Sequence, residues 1–229
     1  MKIMTPNAIK IGLTSVGGFL INKAVILIAP LYLSLSDIAS YGTTKQFIDL
    51  IVSLGAIWFS TFYPKITQYQ VSEDKEGVKR LYIKSQLCLF AVFIVGGLGL
   101  IYVGPLALEL IKSKTHLLSS GMIAIFLLTI FLESNQGMSR NILLTKNEVP
   151  FAKATIISGF VSVFALYIFF AFTNIGIWGM ILAPAFVQAA YQNWKWPFQV
   201  IAELKITIMD YKNVIHSIVN TYLKQNKQL

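Results

Sequence analysis

The stretch Ile11–Leu35, IGLTSVGGFLINKAVILIAPLYLSL, decides the fold, because in its twenty-five residues Lys23 is the one charged side chain. A helix needs about 20 apolar residues to cross a hydrocarbon core of roughly 30 Å at about 1.5 Å per residue. Five further runs follow: Gln46–Tyr63, Leu87–Leu108, Leu117–Leu132, Ala154–Phe172 and Ile175–Tyr191. The fourth and sixth are short and draw on flanks such as Glu133 to Ser139, or Gln192 and Asn193, to complete a crossing. Together the runs predict an all-α, polytopic membrane bundle of six transmembrane helices over residues 1–197, with a cytoplasmic amphipathic tail over 198–229.

The loops agree with six crossings. Lys2, Lys10, Lys65, Lys75, Lys79, Arg80, Lys84, Arg140, Lys146, Lys153, Lys195, Lys205, Lys212, Lys224 and Lys227 fall on one predicted face, against Lys45, Lys112 and Lys114 on the other. By the positive-inside rule, both termini are expected in the cytoplasm. The outer connections, about residues 36–45, 109–116 and 173–174, leave little room for an external catalytic domain or a receptor ectodomain.

Composition excludes a soluble reading. Hydrophobic residues make up 55% of the chain and charged residues 13%, with a mean hydropathy of +0.66, more apolar matter than a soluble core of this length can hide. The net charge of +9 sits in loops, where it sets topology and meets anionic headgroups of membrane lipid, and no nucleic-acid partner is expected. The first run is too long for the h-region of a cleaved signal peptide and is read as a retained span. Cys88 is alone, so an intrachain disulfide is impossible. His116 and His216 fall near opposite faces, and neither a metal site nor a cofactor is expected.

Several polar residues interrupt the apolar runs. Lys23, beside Asn22, has about 18 Å of helix on either side, beyond the reach of snorkelling. It needs a wet cavity or a counter-charge, unless the helix is displaced along the membrane normal. In the second run Gln46, Asp49, Ser53, Ala56 and Ser60 share one stripe at about 100° per residue. That stripe is either a close helix contact or a cavity wall, and Asp49 is the plausible membrane partner of Lys23. Thr129, Glu133, Gln136 and Arg140 form a second stripe. Glu133 there is either a substrate or proton-relay group or a structural cap satisfied by Arg140 or interfacial water. Gln188 and Asn193 are further candidates for the cavity. Pro30, Pro184, Gly17-Gly18 and Gly96-Gly97 suit bending or close approach.

Two flanking segments carry helix signals. Ser72-Glu73-Asp74 reads as an N-cap with acids in the first turn, predicting a cytoplasmic helix that runs into the third span. In the tail, Leu204, Ile208, Tyr211, Ile215, Ile218 and Tyr222 repeat at helical spacing, which places an amphipathic helix on the inner membrane surface or under the bundle. Trp194 and Trp196 around Lys195, followed by Pro197, read as interfacial anchors and a helix stop. No Walker sequence, no HExxH and no catalytic triad spacing occurs, so no catalytic residue is assigned and the chain is not read as an enzyme.

Ser40-Tyr41-Gly42, Trp58-Phe59, Tyr63-Pro64-Lys65-Ile66, Thr145-Lys146-Asn147-Glu148-Val149-Pro150-Phe151, Gly176-Ile177-Trp178-Gly179 and Ala190-Tyr191-Gln192-Asn193-Trp194-Lys195-Trp196-Pro197 resemble the loops of O-antigen flippases of the Wzx type. These are polysaccharide biosynthesis proteins of the multidrug/oligosaccharidyl-lipid/polysaccharide exporter superfamily. Family members are about twice as long, so the resemblance is to the C-terminal half: a truncated frame, a half that pairs with another product, or a fragment. It implies transfer of an undecaprenyl-pyrophosphate-linked oligosaccharide, a lipopolysaccharide precursor, across a bacterial inner membrane. A second six-helix half or a homodimer would complete the protein.

The candidate substrate-binding residues are Lys23, Asn22, Asp49, Glu133, Arg140 and Gln188. Lys23 is expected to meet the pyrophosphate, on electrostatic grounds. The alternatives are half of a cation-coupled multidrug exporter, a membrane enzyme of glycan assembly, and a scaffold subunit that transports nothing.

Overall fold

The computed structural model describes residues 4–226, among which there are helices and no strands. Helix α1 is Met4–Ile28, followed by a 3-10 turn at Ala29–Leu31, α2 is Leu35–Val71 and α3 is Lys75–Tyr102. The short α4 is Gly104–Leu110, then α5 is Ser120–Leu144 and α6 is Ala152–Phe172. Trp178–Ala190 forms α7, Gln192–Glu203 α8 and Ile208–Asn226 α9. Lys2 and Lys227 lie outside the described residues, as do the side chains of Tyr222 and Lys224.

Five of these helices are long and apolar enough to cross a membrane: Asn7–Leu31, Leu35–Val71, Lys75–Tyr102, Ser120–Leu144 and Ala152–Phe172. No more than 33% of any spanning stretch is buried inside the chain, so most of its apolar surface faces outward, as a lipid solvent requires. This is a multi-pass membrane protein.

The expected sixth span is not one long helix: α7 has 13 residues, too few to cross alone, and α8 follows it after a break at Tyr191, whose φ and ψ are −144° and −53°. At one end, Gly179 lies against the Phe170 ring near the end of α6. At the other, Glu203 pairs with Lys146, just past α5. The expected boundary at residue 197 therefore falls inside α8, where Trp196 and Val200 are buried and Pro197 does not stop the helix. The change of element comes later, where Lys205 adopts a φ of 50°.

Two other predicted boundaries move. The second span, expected to end at Tyr63, continues through Pro64 to Val71, and the helix expected to run into the third span begins at Lys75. Asp74, not Ser72, caps α3 by accepting from the Gly77 amide at 2.9 Å. At 37 residues, α2 is about 55 Å long and exceeds the hydrocarbon thickness. At its start Ser34 caps the helix, accepting from the Asp37 amide at 3.1 Å while its hydroxyl donates to the Asp37 carboxylate at 2.8 Å. The outer connection from α1 thus shrinks to a few residues, and Lys45, expected in that loop, lies three turns inside α2.

Contacts sort the connections between two ends of the bundle. Asn7 donates to the Asn147 carbonyl at 2.8 Å, Lys146 pairs with Glu203 and Lys79 lies 3.6 Å from Asp210, which gathers the start of α1, the α5–α6 loop, the start of α3 and the tail. At the opposite end, Tyr32 stacks on Phe170 at 5.4 Å between centroids and the Leu118 amide donates to Thr44 at 3.0 Å.

Packing follows small residues. Helix α1 lies on α6 and α2 on α3, while α5 sits among α2, α3, α7 and α8. Gly17 and Gly159 make the α1–α6 crossing possible, since a Cβ on Gly17 would stand 2.5 Å from the Thr155 carbonyl oxygen and one on Gly159 2.9 Å from that of Gly17. Gly18 faces open space, so only the first of the pair serves the contact. At the break between α7 and α8, the Gln192 side-chain oxygen accepts from Gln136 of α5 at 3.3 Å and the Trp196 indole at 3.1 Å, and lies 3.4 Å from the Thr155 hydroxyl of α6, which donates to the Phe151 carbonyl at 2.9 Å. One amide thus ties α8 to α5 beside α6.

Candidate functional site between α1, α2 and α5

Because α1 and α2 pack on different neighbours, α5 is left bordering a space between them. A narrow cavity occupies it, and a wider one lies further along, between α1 and α5. The narrow one, of about 20 Å³, is lined by Ile21, Asn22 and Val25 of α1, Tyr41 and Lys45 of α2, Phe126, Thr129, Ile130 and Glu133 of α5, and Ile181 and Pro184 of α7. It has room for about one water. The wide one, of about 370 Å³, lies nearer the basic end against Ile11, Thr14, Ser15, Gly137, Arg140, Asn141, Leu144 and Phe151. Glu133 and Arg140, seven residues apart on one face of α5, place the two about 10 Å apart along the helix. A polar track thus follows α5 from the interior toward the basic end.

The narrow cavity is charged. Lys45 donates to both carboxylate oxygens of Asp49, at 2.8 and 3.0 Å, and it lines the space into which Glu133 also faces. Among the described residues Glu133 accepts no hydrogen bond and has no cation within 4.0 Å, and Lys45 is the cation that shares its cavity.

These positions correct part of the sequence reading. Asp49 pairs with Lys45 and not with Lys23, because helix spacing puts a lysine one turn away on its own helix. Arg140 does not satisfy Glu133; it lies over the Phe151 ring at 4.2 Å, too far along α5 to reach back. Lys23 is exposed and lines neither cavity, whereas its neighbour Asn22 lines the narrow one and donates to the Gly18 carbonyl at 3.0 Å. Gln188 is buried at the α7 end with its side-chain nitrogen unpaired, and Asn193 is buried with its side-chain oxygen unpaired; both stand outside the two cavities.

The α2 stripe resolves differently. Gln46, Asp49, Ser53, Ala56 and Ser60 are all exposed, as are Ser15, Asn22 and Lys23 on α1. The stripe is no close contact within this chain. It forms an uncovered polar face on helices otherwise clothed in apolar side chains such as Leu50, Leu54 and Ile57.

Lys45 is the charged cavity residue absent from the sequence-based candidates, because the expected span begins only at Gln46. Its i,i+4 spacing to Asp49 was the available signal. Among the described residues no group of three or more metal-ligating side chains comes together. Compared with known protein families, curated proteins and solved structures, the chain matches none.

Proposed function

We propose that this chain is one half of a transporter for an amphiphilic, lipid-linked oligosaccharide, with α1 and α2 forming its wall of a central path. The observation that carries this reading is the uncovered polar face of α2 from Gln46 to Ser60. In hydrocarbon such a face is costly, and the natural cover is a second bundle enclosing water between the two. The neighbouring polar track along α5, from Glu133 to Arg140, gives that path charged groups at two depths. The choice of an O-antigen precursor carried on undecaprenyl pyrophosphate, in a bacterial inner membrane with both termini cytoplasmic, rests on the resemblance of the loops.

The second half is either another copy or a separately encoded bundle. The test is complementation of a flippase-null strain by this chain alone and with a candidate second half, with the detergent-solubilised mass measured in parallel. Restoration of surface polysaccharide only when a two-bundle particle forms is the expected result. Full complementation by a monomer would defeat the reading.

A cation-coupled exporter is the second reading, favoured by the carboxylates of Asp49 and Glu133 on either side of Lys45. It predicts efflux of organic cations that depends on Glu133 and no effect on surface polysaccharide.

A further inference from the structure

The wide cavity holds a cation without a counter-ion. Arg140 lines it with one face against Phe151, and among the described residues no carboxylate lies within 4.0 Å of its guanidinium and no acceptor takes a hydrogen bond from it. No acidic side chain lines the cavity. A guanidinium carries five N–H donors in a planar fork, and leaving them unmatched away from bulk water is costly.

The other walls suit an oxyanion. Phe151 of the cavity wall stands at the N-cap of α6, which brings the positive end of that helix's dipole near Arg140. Across the cavity, Thr14 and Ser15 donate to carbonyls of their own helix, those of Lys10 at 2.8 Å and Ile11 at 3.2 Å. Hydroxyls held this way can turn to a ligand at little cost. Lys10 is next in sequence to Ile11 and Lys153 is two residues after Phe151, and both are exposed. Arg140 lies four residues before the end of α5, close to the basic connection between α5 and α6.

We infer that this cavity is a binding site for a phosphoryl group, held by the Arg140 fork against Phe151 and approached from the basic end of the bundle. Its volume of about 370 Å³ exceeds one phosphoryl group and leaves room for a glycerol or sugar carrying it. The chemistry is the same for a phospholipid headgroup and for a soluble phosphate, and it holds whether or not the chain transports anything.

The experiment uses the full chain in a phosphate-free maltoside detergent, with native mass spectrometry reading retention of phosphatidic acid against diacylglycerol. The phosphorylated lipid should be held roughly tenfold more tightly, the scale of a charge-assisted bidentate contact. Arg140→Gln should abolish that preference and Arg140→Lys keep part of it. Displacement of the lipid by inorganic pyrophosphate assigns the site to soluble phosphates as well, and failure to displace assigns it to headgroups. Should Arg140→Gln not fold, a Thr14→Ala/Ser15→Ala variant is expected to weaken the preference about threefold, on the scale of a neutral hydrogen bond. Equal retention of the two lipids, or a preference unchanged in the variants that fold, overturns the site.

Discussion

The ammonium of Lys45 donates to both carboxylate oxygens of Asp49, one helical turn further along α2, at 2.8 and 3.0 Å. The lysine side chain is 15% exposed and the aspartate 54%, so the pair spans the boundary between the narrow cavity and the uncovered face. An exposed i,i+4 pair contributes about 0.5 kcal/mol or less in water. Its interest is therefore its position.

Lys45→Ala should barely change thermal stability in detergent yet greatly reduce transport by any assembly that contains this bundle. Parallel thermal unfolding and a surface-polysaccharide assay separate the two effects. A loss of transport that merely tracks a loss of folded protein would remove Lys45 from the site.

Gln192→Leu should destabilise the bundle by about 1–3 kcal/mol, because it strands the donors of Gln136 and Trp196 at once. Chemical unfolding in mixed micelles measures this, and Trp196 offers a local fluorescence probe. An unchanged midpoint would mean that water replaces the amide.

Gly159→Leu should separate α1 from α6, since a Cβ at that position already meets the Gly17 backbone at 2.9–3.1 Å. Overpacking on this scale costs about 1–3 kcal/mol. Gly18→Ala, which faces open space, is the matched control and should fold normally. A cross-link between cysteines placed on α1 and α6 reports the separation directly.

Docking of the tail should weaken in acid. Burial pushes the Glu203 carboxyl upward, but hydrogen bonds from Lys146 and Gln199 and the Lys146 charge outweigh it, and the net shift is below the ordinary value of 4.5. Asp210 is also held low, chiefly by the Thr207 amide and hydroxyl and then by Lys79. A carboxylate depressed in the folded state adds stability above its unfolded value and loses it as pH falls through the folded one. Hydrogen exchange across α8 and α9 should therefore be flat near neutrality and rise below about pH 4.5, with Glu203→Gln raising it already at neutral pH. Exchange independent of pH and of that substitution would mean that apolar packing alone holds the tail.

In a Cys88→Ala background, single cysteines at Lys79 and Lys146 should resist an impermeant thiol reagent in intact cells, and one at Lys112 should react. The connections around Lys79 and Lys146 meet at one end of the bundle, and that end collects the positive charge. Reaction at Lys79 or Lys146 with protection at Lys112 would invert the topology.

The tail shows how far amphipathic spacing reaches. Ile208, Ile215 and Ile218 do form an exposed apolar stripe, but Tyr211 of the same repeat turns inward and donates to Gln86 at 2.6 Å, while Val214, outside the repeat, is buried. Periodicity identified the helix. Which sector met the bundle depended on Lys79 and Gln86, more than 120 residues earlier in the chain.

Sequence by itself determined that the chain is an all-α bundle with several membrane-spanning helices, because hydrocarbon thickness and backbone hydrogen bonding constrain each helix separately. It also located the polar stripes of α2 and α5, since a helix fixes the angle between its own residues. Tertiary structure alone decided what each stripe meets: Asp49 takes Lys45, Arg140 takes Phe151 and a cavity, and Gln46 to Ser60 stay uncovered. Those outcomes depend on which helices lie side by side. Small residues such as Gly17 and Gly159 set that arrangement by close approach, and spacing along one helix carries no record of its neighbours.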